Sequence, residues 1–390
     1  MSHFGVSAFI AFALLYVSVS LYVNYRNERL SQLFVKDVKE LASIPLEISR
    51  TVVVRPTGSC LQGRECLHVV LAADGPYLTP LLACINSVIV HTTQQTFFHL
   101  IVKPGESDIF STALLQYAQL LSVGPQESNR SVGFELVEFN PNRVKPLIRV
   151  WKGLHMHSDP FNFARFYMPN LFPEVSEVIY LDPDIIVKAD LQSVLKFFRR
   201  RESPSTTILA AVPSKKERPT RKNTYGFLLN CLDPEIAAVI KQPKTQYFNA
   251  GVLVTDLALW RQYNITAQLE VWMHRNTQRK LWKWGSQAPL ALVFYEKWMA
   301  LDYSWNERRT KYDHFSLEHD GPGVKIYHFT GEEKPWKSNG GSKLWSIWCP
   351  YYVHANKLWF CNANGASKLI PQCVTDFSLL FKTEDQVLYL

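Results

Sequence analysis

Cysteine is scarce in this sequence, with 7 among 390 residues, and no two are spaced Cys-x-x-Cys. Zinc ribbons and thioredoxin-like redox sites need that spacing, so both chemistries are disfavoured. Also missing are Gly-x-x-x-x-Gly-Lys-Ser/Thr and Gly-x-Gly-x-x-Gly, the phosphate cradles of ATPases and dinucleotide-binding domains, and His-Glu-x-x-His, the helix of zinc proteases. Internal repeats and low-complexity segments are absent. The charge excess is small, 42 Lys and Arg against 34 Asp and Glu, a formal +8. It suits phosphates, an acidic glycan or a membrane surface. No recognition motif accompanies it, and nothing argues for a nucleic-acid partner, the basic stretch at 215–222 included.

What is present is globular: 47% hydrophobic residues, 13% of all residues aromatic, enough for a sizeable core in one large α/β domain or two smaller ones. One long apolar run stands out. Phe4 to Val23 is 20 residues without a charge, about 30 Å as a helix, the thickness of a bilayer core. It reads as a signal-anchor, with a cleaved signal peptide as the alternative; its place at the terminus argues against a buried core helix. Arg26 and Arg29 follow the run, so the positive-inside rule does not favour a cytosolic N-terminus. Two sequons, Asn129-Arg130-Ser131 and Asn264-Ile265-Thr266, point instead to a lumenal domain. Cys60 with Cys66, and Cys349 with Cys361 or Cys373, are candidate lumenal disulfides. The expected organisation is a short tail at 1–3, the anchor at 4–23, a stem at 24–65, one catalytic domain at 66–352 and a tail at 353–390.

Within the domain, short apolar runs alternate with helical stretches. Leu67–Ala72, Phe97–Val102, Phe134–Phe139, Val178–Leu181, Ile208–Val212 and Tyr247–Val254 read as strands. Pro80–Val90 and Leu114–Leu121 read as helices, and Asp256 as the cap of a helix running toward Met273. Such alternation predicts a mostly parallel sheet with helices on both faces. Residues 213–226 interrupt it with a basic, proline-containing loop, a candidate lid.

Three segments can carry chemistry. In Val178-Ile179-Tyr180-Leu181-Asp182-Pro183-Asp184 a strand ends in two carboxylates, where the loops of an α/β sheet gather around ligands. Pro183 stops the strand, and carboxylate oxygens suit manganese or magnesium. Alone, the triplet reads more simply as a solvated turn with Asp184 capping a helix. In His328-Phe329-Thr330-Gly331-Glu332-Glu333-Lys334 the imidazole suits a first-row metal and the lysine a phosphate; alone, His328 would be a structural histidine. In Tyr247–Val254, Asn249 and Gly251 interrupt an apolar strand, as a close backbone approach or a simple β-bulge would require. His155 and His157 have the spacing of a metal pair but no evident third ligand.

Together these segments, in this order, resemble glycosyltransferase family 8, in particular the animal glycosyltransferase 8 domain-containing proteins. The resemblance spans roughly residues 66–352 and is supported by LHVVLAADG, LVEFNPNRVKP, FNFARFYMPNLFP, SQAPLALVFY and KLWSIW. It implies a GT-A (Rossmann-like) α/β fold and a retaining transfer from a UDP-sugar to a glycan or glycoprotein acceptor. Asp182, Asp184 and His328 match the family's ligands for Mn2+ (or Mg2+). Ala73 and Asp74 match the region that meets the uridine, Arg165 a donor-binding arginine, and Asn249 and Gly251 the segment beside the sugar. Gly331 and Lys334 match the phosphate-facing turn, and Gln287 the position at the sugar's reacting face. The chain departs from its relatives at Pro183, between the two aspartates, at Ser286, where many have Asp, and at the Glu332-Glu333 pair. Those departures keep open a second reading, a transferase fold acting as a nucleotide- or glycan-binding scaffold. Membership would also imply a Golgi or ER location, single-pass type II, with the catalytic domain lumenal.

Overall fold

The computed structural model describes residues 48–54, 66–123, 132–151, 159–214, 221–283, 285–308, 323–332, 334–337 and 344–352. The expected anchor at 4–23, the tail at 353–390, the Asn129 sequon, His155, His157, residues 215–220 of the basic loop and Glu333 lie outside them. Among the described residues no helix is long and apolar enough to cross a membrane.

Eight strands form the central sheet in the order β1-β4-β3-β2-β5-β8-β7-β9. In chain order they are β1 (Ile48–Val54), β2 (Leu67–Ala72), β3 (Thr96–Val102), β4 (Val132–Phe139), β5 (Glu177–Leu181), β7 (Leu209–Pro213), β8 (Phe248–Asp256) and β9 (Trp298–Ala300). A second sheet joins β10 (Glu307–Arg308), β11 (Ile326–His328) and β6 (Ile185–Val187). Strands β4-β3-β2-β5 are parallel neighbours, as are β7 and β9, whereas β1 against β4, and β8 against both β5 and β7, pair antiparallel. The sheet is therefore mixed rather than uniformly parallel. Apolar runs such as those of β5 and β8 are buried on both faces whichever way they run, so their composition carries no direction.

The inner strands of the central sheet feed two cores, as period-2 alternation requires. Val70, Ile101, Val137 and Leu253 lie on one face, under the helices Leu257–Gln262, Ile265–Gln278 and Gln287–Val293. Val69, Leu71, Leu100, Ile179 and Val252 lie on the other, under Leu78–His91 and Leu191–Arg199. Asp256 caps the helix after β8 by accepting from Leu259 N–H at 2.9 Å, as its position suggests. The helical stretch beyond it is two helices, because Asn264 adopts a left-handed conformation (φ 50°) between them. Residues 48–54, read as stem, instead form the edge strand β1; their Arg50 and Thr51 hide the alternation. Cys66 and Cys349 are disulfide-bonded, while Cys84 and Cys231 are free; Cys60, Cys361 and Cys373 lie outside the described residues.

Chain order now locates a crevice. From β2 the chain moves outward to β3 and β4, then returns to place β5 on the other side of β2. The reversal sets the carboxyl ends of β2 and β5 side by side, and the segments that leave them border an open cleft. Those ends are Ala73-Asp74 and Asp182.

Candidate active site

The cleft has a volume of ≈ 350 Å³, and its walls include Ala73, Asp74, Tyr77, Asp159, Arg165, Asp182, Asp184, His328, Gly331 and Lys334. Most of the residues singled out from sequence thus share one space. Asn249, Gly251 and Gln287 are not on its surface; they stand behind it.

Two pieces of pairing bring the acids and the histidine together. Asp182 N–H donates to Gly251 C=O at 2.8 Å, carrying the β5–β8 ladder one residue past Leu181. Pro183 and Asp184 then turn the chain into β6, which runs antiparallel to β11 with His328 opposite Ile185. Asp184 is therefore not a helix cap; the helix at 191–199 is capped by Asp190. His328 Nε2 lies 3.3 Å from Asp184 Oδ1 and 3.8 Å from Asp182 Oδ2. One ligand atom from each residue falls within 4.8 Å of the others.

The imidazole is aimed from behind. Nδ1 of His328 faces Asn306 Oδ1 at 2.9 Å, and since that oxygen can only accept, Nδ1 carries a proton and Nε2 is the atom turned toward the carboxylates. Asn306 in turn donates to Asn249 Oδ1 at 2.9 Å, which also accepts from Gly251 N–H at 3.0 Å. Gly251 has a steric role besides. A Cβ there would lie 2.2 Å from His328 Cε1 and 3.0 Å from Asp182 Oδ2, so only glycine lets the ring pass. The β7–β8 register shifts across this stretch, as a bulge requires, and Gly251 packs directly against His328 and Asp182.

Cations complete the walls. Lys334 is buried and donates to Asp184 Oδ2 at 2.5 Å and to Phe329 C=O at 2.7 Å. Burial opposes charge on Asp184, but His328 and Lys334 more than offset it and hold its carboxyl well below the ordinary range. Arg165 lies 3.2 Å from Asp182 Oδ1, donates to Ala250 C=O at 2.8 Å and stacks over Tyr180, whose hydroxyl donates to Asp182 at 2.8 Å. Gly331 has φ +89°, a left-handed conformation that glycine adopts freely. Glu332, beside it, is exposed. Gln287 accepts from Ala250 N–H and donates to Phe248 C=O, both at 2.9 Å, so its amide closes the gap left by the bulge. Sequence reasoning missed Asn306, Tyr180, Asp159 and Lys103, which bonds Asp74 at 2.8 Å and faces Asp159 at 3.5 Å. No motif marks them; only the alternation of Tyr180 with Asp182 on one strand was readable.

The donor set fits a divalent cation. Cis ligands of an octahedral ion with bonds of about 2.1 Å lie roughly 3 Å apart, close to the 3.3 Å and 3.8 Å found here. Two hard carboxylates with one imidazole suit manganese, and the neighbouring lysine suits an anionic partner.

A cleft at the reversal point of an α/β sheet, with two carboxylates and an imidazole placed so that they could hold a metal ion, is the candidate active site. Residues 68–340 match the glycosyl transferase family 8. The chain belongs to that family and is a glycosyltransferase. Probable galacturonosyltransferase-like 9 of Arabidopsis thaliana is 31% identical over 305 residues, 75% of this chain and 73% of that one. Human glycosyltransferase 8 domain-containing protein 2 is 28% identical, over 73% of this chain and 82% of its own. Among solved structures, the galactosyltransferase LgtC in complex with donor and acceptor sugar analogues aligns with a TM-score of 0.51 at 18% identity, covering 72% of this chain and 95% of that one. The bifunctional glycosyltransferase WbbM aligns at 0.56 and 20% identity, covering 78% of this chain and 51% of that one. These two share the fold.

Proposed function

We propose that the protein is a metal-dependent, retaining transferase that moves a hexose, pentose or uronic acid from a UDP-sugar to a glycan or glycoprotein acceptor. The observation that carries this reading is the convergence of Asp182, Asp184 and His328 Nε2 on one point of the cleft, with Lys334 buried beside it. When bound there, Mn2+ (or Mg2+) would supply Lewis-acid stabilisation of a departing diphosphate. Lys334 adds a fixed positive charge where that anion develops, already oriented by Asp184 and Phe329 C=O. Arg165 holds Asp182 in place, and Tyr77, its ring edge-to-face with Trp336 at 5.9 Å, offers an aromatic wall suited to a base. Asp74 lies at the β2 end of the same cleft, its carboxylate fixed by Lys103. Gln287 is assigned a part in shaping the wall nearest the sugar through Ala250 and Phe248. We further assign the catalytic domain to the lumen of the Golgi or ER, tethered by the helix expected at 4–23.

The test is UDP release and sugar transfer over a panel of UDP-sugars with and without manganese. Asp184→Asn is the informative variant. Asp184→Ala would leave the buried Lys334 ammonium with neither the charge nor the acceptor oxygen of Asp184 and lose about 3–5 kcal/mol of stability as well, whereas Asn keeps an acceptor oxygen. In Asp184→Asn, manganese-stimulated turnover should fall by about 10²–10³-fold with the fold retained. Undiminished turnover in that variant would remove the site assignment. Folded wild-type protein that binds UDP with manganese but turns over no donor would favour the scaffold reading.

A further inference from the structure

We propose that Asn264 carries an N-linked oligosaccharide, on a face of the domain remote from the cleft. Asn264 is exposed, between the helices Leu257–Gln262 and Ile265–Gln278, and its side chain caps neither. Its left-handed backbone, φ 50° and ψ 43°, is one asparagine tolerates, and it turns the residue out of both helices. Gln262 and Tyr263 before it are exposed too, so a bulky substituent meets open solvent. The third sequon residue is held inside: Thr266 Oγ1 donates to Phe166 C=O at 2.7 Å and accepts from Trp260 Nε1 at 3.1 Å. An exposed amide beside an internally bonded hydroxyl is an arrangement that folding completes without touching the modified atom.

The neighbouring bonds fix which end of the sheet this is. Leu257 N–H donates to Ser176 C=O, and Arg261 to Val175 C=O at 3.0 Å, both just before β5 begins. Tyr263 donates to Ser205 C=O at 3.0 Å, ahead of β7. Asp182 and the cleft lie at the opposite, carboxyl end of β5. Five residues of strand, roughly 17 Å at about 3.3 Å each, separate the two. An oligosaccharide at Asn264 leaves the cleft open.

In the modification Nδ2 of Asn264 forms a bond to the anomeric carbon of a lipid-diphosphate-linked oligosaccharide. The anomeric C–O bond breaks, the lipid diphosphate leaves with the electron pair, and one amide proton is released. The proposal rests on the lumenal placement above, so the experiment reads both. The full chain is made in ER-derived membranes, then probed by external protease and, separately, by an endoglycosidase that removes N-glycans. Asn264→Asp keeps the shape and tolerates the left-handed backbone; Thr266→Ser keeps sequon and hydroxyl. The expected result is a protease-protected domain whose endoglycosidase-sensitive mobility loses one step in Asn264→Asp and none in Thr266→Ser. A protected domain in which Asn264→Asp migrates with wild type before and after the enzyme overturns the glycan assignment alone. A domain digested from outside overturns the lumenal placement and the glycan with it.

Discussion

Two clusters of histidine, carboxylate and cation are built into this domain, one where the central sheet meets the smaller sheet and one across the central sheet, and of the two it is the first that faces a cleft. At the carboxyl end of β5 and β11, His328 meets Asp182 and Asp184 with Lys334 alongside. Across β2, β3 and β4, His68 bonds His99 at 2.8 Å, His99 bonds Glu135 at 2.5 Å, and Arg50 of β1 bonds Glu135 at 3.0 Å. In the second cluster every link runs to the next residue along a line. His68 Nδ1–H reaching His99 Nε2, and His99 Nδ1–H reaching Glu135, satisfy each group in turn, and Arg50 ends the line by also donating to Leu171 C=O. In the first, the bonds fix the back of each side chain and leave ligand atoms converging in front. Residue type does not separate them. Direction does: a closed line stabilises a sheet, and an open focus can take a ligand.

Gly251→Ala attacks the open focus without removing any ligand. The added methyl would sit 2.2 Å from Cε1 and 2.7 Å from Nδ1 of His328, forcing the ring off Asn306 and away from the carboxylates. A displacement of about 1 Å can cost about 100-fold in rate, and a loss of that size in manganese-stimulated UDP release is expected. The far-UV spectrum should be unchanged. Activity within about threefold of wild type, roughly 0.7 kcal/mol, would show that His328 is not a ligand.

Breaking the closed line should have the opposite profile. Glu135→Gln weakens bonds to two partners and is expected to lower unfolding stability by about 1.5–3 kcal/mol, with manganese affinity and turnover unchanged. The pH dependence follows from the same line. Burial first, then His99, depress the His68 pKa from 6.5 to about 3. Burial alone would raise Glu135, but His99 and Arg50 draw it below the ordinary carboxylate value. In acid the unfolded chain binds the His68 proton before the folded one does. This contribution is therefore complete above about pH 6.5 and shrinks as pH falls toward 3, by up to about 1.4 kcal/mol per pH unit. Glu135 acts in the same direction, its contribution being lost as pH falls through its lowered pKa. Urea unfolding between pH 7 and 4.5 should show this slope, flattened in His68→Gln. Equal slopes in both proteins would mean that His68 protonates as readily in the folded state.

The contrast also explains what could be read from sequence. The ends of β5 and β11, and the Asn249–Gly251 interruption, were legible because each is an abrupt polar break in an apolar run, and buried strands show such breaks plainly. Asn306 was not legible. It lies in a short 3-10 turn, Tyr303–Asn306, and matters only because β10 and β11 bring it beside His328. Lys103 and Asp159 meet across 56 positions of chain, a distance no local pattern spans. The closed line was hidden for another reason: His68, His99 and Glu135 each interrupt a strand singly, as surface residues do, and their register alone reveals that they touch. Strand direction was equally silent, so the antiparallel β8 had to come from the structure.

The smallest effect is expected at Glu332, which sequence comparison made a suspect because a carboxylate beside a diphosphate would repel it. Glu332 is exposed, next to Gly331 at φ +89°, while Lys334 is 6% exposed and turned inward to Asp184. One side chain is exposed and the other buried, and an exposed carboxylate is screened by solvent and salt. Glu332→Gln should change the KM for the donor by no more than about twofold, within the roughly 0.5 kcal/mol of an ordinary surface substitution. A tenfold fall in KM would mean that the turn swings inward when donor binds, and that the open focus is built partly by the ligand it receives.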